Sequence, residues 1–268
     1  MTKKEGTAYF DMEWKQMNFH LQTFLETGDQ EGLHQFRVQV KKLRALFYLL
    51  DNTASRGFLF KKFKPVRKIF KYAGIIRDAH TNLVLSARYQ LKNENFETVQ
   101  QEAIKEGTAG FQLNGEKYRK DIKESYKLLK KKLPKVQDSA IAGFYKNQLA
   151  HIAVKLSVPQ FTEQMHDNRK LIKILVYNHT LAGKALTGSL YINSSYLGKL
   201  QSAIGEWHDN VLASQLFSSP GLNDLLALKK INKKNTVAEK NIITLADGFM
   251  KKVSTADVMH DNNSTGGL

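Results

Sequence analysis

The 268-residue sequence contains no cysteine. That excludes a disulfide framework, thiolate zinc sites and a cysteine nucleophile. Only four prolines occur, which disfavours a sandwich full of tight turns. No stretch approaches the ~20 uninterrupted apolar residues that a membrane helix requires. The N-terminus is not a secretory signal either, because Lys3 and Lys4 are followed by Glu5, Asp11 and Glu13 with no apolar run between them. Acidic residues are scarce: 25 Asp and Glu stand against 41 Lys and Arg, a formal net charge of +16. The expectation is a soluble, cytoplasmic protein with no membrane insertion and an attraction for polyanions, whether nucleic acid, polyphosphate or an anionic surface. A hydrophobic fraction of 42% argues against global disorder and permits a core for one or two domains.

What the sequence does have is helical periodicity. Apolar residues recur at three- and four-residue steps through 9–27, 29–51, 58–74, 77–92, 94–106, 112–132, 138–155, 160–183, 188–204, 208–216, 221–231 and 235–252. Gly28, Gly57, Pro65, Gly107, Gly110, Pro134, Pro159, Gly188 and Pro220 punctuate these segments. Pro65 falls inside one of them and predicts either a helix start or a kink. Alternating strand patterns are scarce, so the expected class is all-α. The polar stretch from Ser254 to Leu268 predicts a frayed tail.

Charge is unevenly spread. From His34 to Tyr72 there are 11 Lys or Arg and one acid, Asp51; from Asn168 to Gly205 there are five Lys or Arg and no acid. The two stretches also resemble copies. His34, Arg37 and Lys41 have the spacing of His166, Arg169 and Lys173, offset by 132 residues. Gly74, Arg77 and Asp78 match Gly205, His208 and Asp209, offset by 131. Two ordered matches at nearly one offset predict an internal duplication. The halves are expected at 1–134 and 135–253, followed by a tail at 254–268.

On a wheel of about 100° per residue, Arg37, Lys41 and Arg44 fall within about 80° of one another, on a stripe that includes His34. Leu33, Phe36, Val40, Leu43 and Phe47 flank one side, and Val38, Ala45 and Leu49 the other, while Gln35, Gln39 and Lys42 form the ordinary polar face. A basic stripe with apolar flanks suits a groove between packed elements. In the second half His166, Arg169 and Lys173 share a face with Tyr177, and Val176 stands where Arg44 would repeat. Several like charges held together away from water create a demand for anions. Arg forks and Lys ammonium groups suit phosphate oxygens. Asp78 and Asp209 are expected either to orient neighbouring cations or to cap the helices they precede.

These residues resemble the CHAD family, the conserved-histidine α-helical domain. The run from His34 to Arg44 is similar to that family's H-x-x-R-V-x-x-K/R-K/R-L-R motif, and Gly74 to Leu83 is similar to its following segment, with His80 in place of the second acid. His166 to Tyr177 resembles the second-half motif, and Leu200 to Asp209 the closing segment. The resemblance spans roughly residues 10 to 250. It implies two four-helix-type bundles related by a pseudo-two-fold axis, a basic cleft or pore between them, and binding of inorganic polyphosphate.

The candidate phosphate contacts are His34, Arg37, Lys41, Lys42, Arg44, Arg67, Lys71, Arg77, His166, Arg169, Lys170, Lys173 and His208, supported by Asp78, Tyr177, Gln201 and Asp209. The expected function is non-catalytic binding of polyphosphate, with polyphosphate granules as a further partner and without metal or cofactor. A nucleic-acid binder is the alternative, although single-strand binding usually adds stacking platforms and only Tyr48 shares the first stripe. A metal-dependent phosphohydrolase or histidine phosphotransfer protein is the third reading. It is opposed by the poverty of acids near the stripe and the lack of a Gly-rich P-loop.

Overall fold

The computed structural model describes residues 1–55, 57–91, 93–219, 221–222 and 224–255. Among these residues no strand occurs, and the fold is all-α. The helices are α1 (Lys3–Thr27), α2 (Gln30–Leu50), α3 (Phe58–Lys62), α4 (Lys64–Tyr89), α5 (Glu94–Leu113), α6 (Gly115–Lys132), α7 (Asp138–Ser157), α8 (Glu163–Leu186), α9 (Ser194–Phe217), α10 (Leu225–Ala246) and α11 (Phe249–Ser254). A π-helical turn at Asp51–Ser55 extends α2. Apart from Ser254 and Thr255, the expected tail lies outside the described residues.

Local chemistry sets the ends that matter here. α1 starts earlier than periodicity predicts because Thr2 and Glu5 form a capping box, each side chain accepting from the other residue's backbone N–H. It stops at Gly28, whose φ of 71° is a left-handed conformation that glycine adopts without strain. Asp29 then caps α2 by accepting from the N–H groups of Glu31 and Gly32. Two residues thus turn the chain back on itself, and α2 lies along α1.

Several expected breaks are not there. Pro65 sits in the first turn of α4, where its missing N–H costs nothing, so it starts a helix and does not kink one. Segments 58–74 and 77–92 divide at Phe63 instead of near residue 75, and α4 runs unbroken through Gly74. In the same way 188–204 and 208–216 fuse into α9 through Gly205. Most of 221–231 and 235–252 fuses into α10, with α11 set off by Gly248. Gly107 and Gly110 lie inside α5. Asp78 and Asp209 sit mid-helix and cap nothing, which removes one of the two roles expected for them.

The elements of residues 138–254 follow the order of the first half. α7 packs on α8 as α1 packs on α2, α9 on α8 as α4 on α2, and α10 on α9 as α5 on α4. Among the described residues α3 has no counterpart in the second half. One apolar cluster runs through both halves, from Phe10, Phe36, Phe47 and Phe63 to Ile172, Leu175, Leu200 and Trp207. A smaller cluster joins the ends of α4 and α9 to α10 through Leu85, Tyr89, Phe217 and Ile231.

The halves meet chiefly where α2 packs on α8. Asn178, fully buried, donates from Nδ2 to the carbonyls of Ala45 and Ile174, each at 2.9 Å. Lys41 lies close enough to Lys173 to feel its charge. Lys41 to Lys173 and Ala45 to Asn178 advance along both helices together, so the two helices run parallel. Residues 132 or 133 positions apart (173 − 41 and 178 − 45) therefore face each other. No described helix is long and apolar enough to cross a membrane.

Replacing Asn178 with alanine removes the side-chain hydrogen bond that spans this contact and leaves a small void. Asn178→Ala should lower unfolding free energy by about 1–3 kcal/mol. The check is a shift of the urea midpoint at unchanged m-value, which reports lost stability with the two halves still unfolding together.

Candidate functional site

The site is built from two arginines lying on two glycines. Arg37 reaches from α2 across α4, where Nη1 donates to the Phe70 carbonyl at 2.7 Å. A Cβ at Gly74 would stand 3.0 Å from that same Nη1. Arg169 reaches from α8 across α9, where Nε donates to the Gln201 carbonyl at 3.3 Å, and a Cβ at Gly205 would stand 2.7 Å from Nη2. In each case the accepting carbonyl lies four residues before the glycine. It is the carbonyl that the glycine's own N–H engages in a regular helix, so the guanidinium takes the second lone pair. The motif glycines therefore serve close approach inside a helix, and side chains there would displace the arginines.

Aromatic rings steady the first-half cations. The Arg37 guanidinium lies 4.2 Å over the Phe70 ring, with Arg44 at 5.7 Å from the same ring, and Arg67 lies 4.1 Å over Phe60. Phe60 and Phe70 were not among the expected site residues. Phe70 stands one helical turn before Gly74, a spacing the sequence displays but periodicity reads as core.

Lys41 and Lys173 line one cavity with Arg169. Burial brings Lys41 down to about 8, helped by Lys173, Arg37, Arg169 and Arg44. Burial and Arg169 bring Lys173 to about 8 against the support of Asp209. Burial also works against the charge on Arg37, which Asp78 supports, and on Arg169, which Asp209 supports. Both aspartates are exposed and act through space. Among the described residues, none of Arg37, Lys41, Arg44, Arg169 and Lys173 is in an ion pair with a carboxylate. Five half-buried cations thus share one place without direct neutralisation.

The histidines differ between halves. His34 is lowered by burial and then by Arg77, and Arg77 Nη1 itself lies 2.6 Å from His80 Nδ1. In the second half His208 stands where Arg77 would repeat. It stacks on His166, with ring centroids 4.0 Å apart and planes at 28°. Burial, then His208 and Lys170, push His166 down to about 4, while Glu163 pulls the other way. His208 is lowered too, by burial and then Arg169, against Asp209 and Glu163. Val176, at the Arg44 position, packs against the core. At the two positions compared, the first half therefore carries arginine where the second carries histidine and valine.

Of the other expected contacts, Lys170 and Tyr177 line one cavity with Lys41, Arg44, Arg169 and Lys173, and Lys42 stands apart. Lys42 points at α1, with Nζ 3.3 Å from Oε2 of Glu13, a carboxylate only 4% exposed. Gln39, also expected on a solvated face, is buried. The reason is that α1 covers this side of α2. Lys170 is held by Asp167 at 2.9 Å and Glu163 at 3.1 Å. Lys71 is exposed on α4. Gln201 contributes through its backbone, and Tyr177 lines a cavity of about 600 Å³ beside the lysines, between α2, α7 and α8.

The glycine positions supply a test that separates site from scaffold. Gly205→Ala adds helix propensity, worth about 0.5–1 kcal/mol, while its methyl group pushes the Arg169 guanidinium off the Gln201 carbonyl. Thermal unfolding should stay at or slightly above the wild-type midpoint. Binding of an oligophosphate should fall by roughly tenfold, the scale of one charge-assisted hydrogen bond. A variant that loses stability instead would mark Arg169 as a packing residue.

The CHAD domain model matches residues 8–218, a span that takes in His34, Arg37, Gly74, His166, Arg169 and Gly205. No curated protein sequence matches the chain. With the family match covering most of the sequence and both arginine–glycine contacts inside it, the chain belongs to the CHAD family.

Proposed function

We propose that this chain binds linear inorganic polyphosphate in the cleft where α2 meets α8, and that it holds the polymer without transforming it. The observation that carries this reading is the cluster of Arg37, Lys41, Arg44, Arg169 and Lys173, half-buried and lacking a paired carboxylate among the described residues. Such a cluster gains more from an arriving anion than exposed lysines would, because burial weakens competition from water. The parallel α2–α8 register and the repeated arginine–glycine contact support reading the halves as copies about a pseudo-two-fold axis. A long polymer of identical units suits a site in which equivalent residues face each other. The two candidate carboxylates support neighbouring arginines, which favours holding over hydrolysis. Cytoplasmic polyphosphate granules are the proposed partner.

The deciding experiment is a titration with long-chain polyphosphate at several salt concentrations, with an RNA of equal phosphate content as competitor. Affinity should fall steeply with salt as bound counterions are released. Arg37→Ala and Arg169→Ala should each weaken binding by roughly tenfold or more, the loss expected for a charge-assisted contact. RNA displacing polyphosphate at equal phosphate concentration would move the assignment to nucleic acid. Phosphate release or phosphohistidine formation would move it to catalysis.

Proton uptake is a second expected outcome. Lys41 and Lys173, both near 8 when the cleft is free, are restored to full charge by a bound polyanion. Near pH 8 binding should therefore take up protons, and affinity should fall as pH rises from 8 toward 10. On the acid side His34, His166 and His208 have lowered values, so affinity should rise again as pH falls from 6.5 toward 4. Titration calorimetry in buffers of different ionisation enthalpy measures the proton count directly. A count of zero at pH 8 would remove the lysine pair from the site.

A further inference from the structure

The cavity beside the lysine pair has two chemically different ends. Its middle carries Lys41 and Lys173. One turn further along α2 stands Arg44, and one turn beyond that Tyr48; one turn along α8 stands Tyr177. Phe60 of α3 lines the same end, with Arg67 covering one of its faces at 4.1 Å. Tyr48 meets Phe144 of α7 edge-on at 6.0 Å and closes that end against α7. Phosphate-binding cations thus give way, within two helical turns, to a wall of aromatic rings.

A linear inorganic polyanion can accept from the Tyr48 and Tyr177 hydroxyls but has nothing to place against their ring faces or against Phe60. A ligand that joins a flat ring to a short run of phosphates uses both ends. The volume of about 600 Å³ lies in the range of pockets that enclose one small molecule. It is open to the cluster where phosphates would sit.

We propose that this cavity takes a nucleoside triphosphate, with its base against Tyr48 and Phe60 and its phosphates on Lys41, Lys173 and Arg44. The inference rests on the reading above that the cluster holds phosphate. It adds a ligand class that the family's repeated motifs do not address, since Tyr48 and Phe60 belong to none of them.

The test compares ATP with inorganic triphosphate, both without magnesium, at one pH and one salt concentration, by titration calorimetry. ATP should bind about 5- to 100-fold more tightly, the range that stacking one base on aromatic side chains provides. Tyr48→Leu should remove most of that advantage and leave inorganic triphosphate within about twofold of wild type, while Tyr48→Phe, which keeps the ring, should retain it. ATP binding no tighter than triphosphate overturns the inference, as does a Tyr48→Leu variant that weakens both ligands equally. If long polyphosphate binds while both small ligands fail, this inference alone falls. If all three fail, the reading beneath it falls as well.

Discussion

The placing of Lys41 and Lys173 in one half-buried cleft is the constraint around which the rest of the molecule is arranged. Lys173 and the neighbouring arginines repel the charge on half-buried Lys41, and burial weakens the claim of each lysine to its proton. Such a pair persists only if its backbones are fixed by something stronger. Here the fixing elements are the apolar cluster that runs through both halves and the Asn178 hydrogen bond to Ala45. The arginines on either side are fixed too, by carbonyls on α4 and α9 and by the Phe70 ring. Charge repulsion at the centre is offset by packing around it, and the result is a cationic cleft whose side chains are already held in place.

The two halves meet this constraint in different ways. The first keeps Arg44, Arg67 and Arg77. The second replaces two equivalents with Val176 and His208 and stacks His208 on His166. Neutral rings can stack at this distance, whereas two imidazolium rings there would repel each other unless an anion lay alongside. Burial weakens charge in both halves, at Lys41 and His34 in the first and at Lys173, His166 and His208 in the second, and the second has two fewer arginines to set against it.

Much of this was legible in the sequence. The basic stripe, its apolar flanks and the offset of 131 to 132 residues point to the same cations that the structure gathers, because helical period and spacing fix which residues share a face. The expected breaks near residues 75 and 206 came from lapses in apolar periodicity beside Gly74 and Gly205, and only the arginine from another helix reveals why a glycine stands inside each continuous helix. Lys42 and Gln39 read as solvated for a similar reason: the wheel shows their face but cannot say that α1 lies on it. Phe60 and Phe70 were hidden because an aromatic at helical spacing looks like core whether it packs on leucine or under a guanidinium. The early start of α1 came from a capping box, a signal of side-chain oxygens that hydrophobic periodicity does not register.

Among the described residues, neither Lys41 nor Lys173 has a carboxylate partner in an ion pair. Solutions contain chloride, phosphate and other small anions, and a preformed cationic cleft recruits them. On the proposed reading, the resting state is one occupied by exchangeable counterions, stabilised by whichever anion the surroundings supply. An affinity measured for this cleft is an exchange constant, the preference for one anion over its predecessor. Its value belongs to the protein and the medium together.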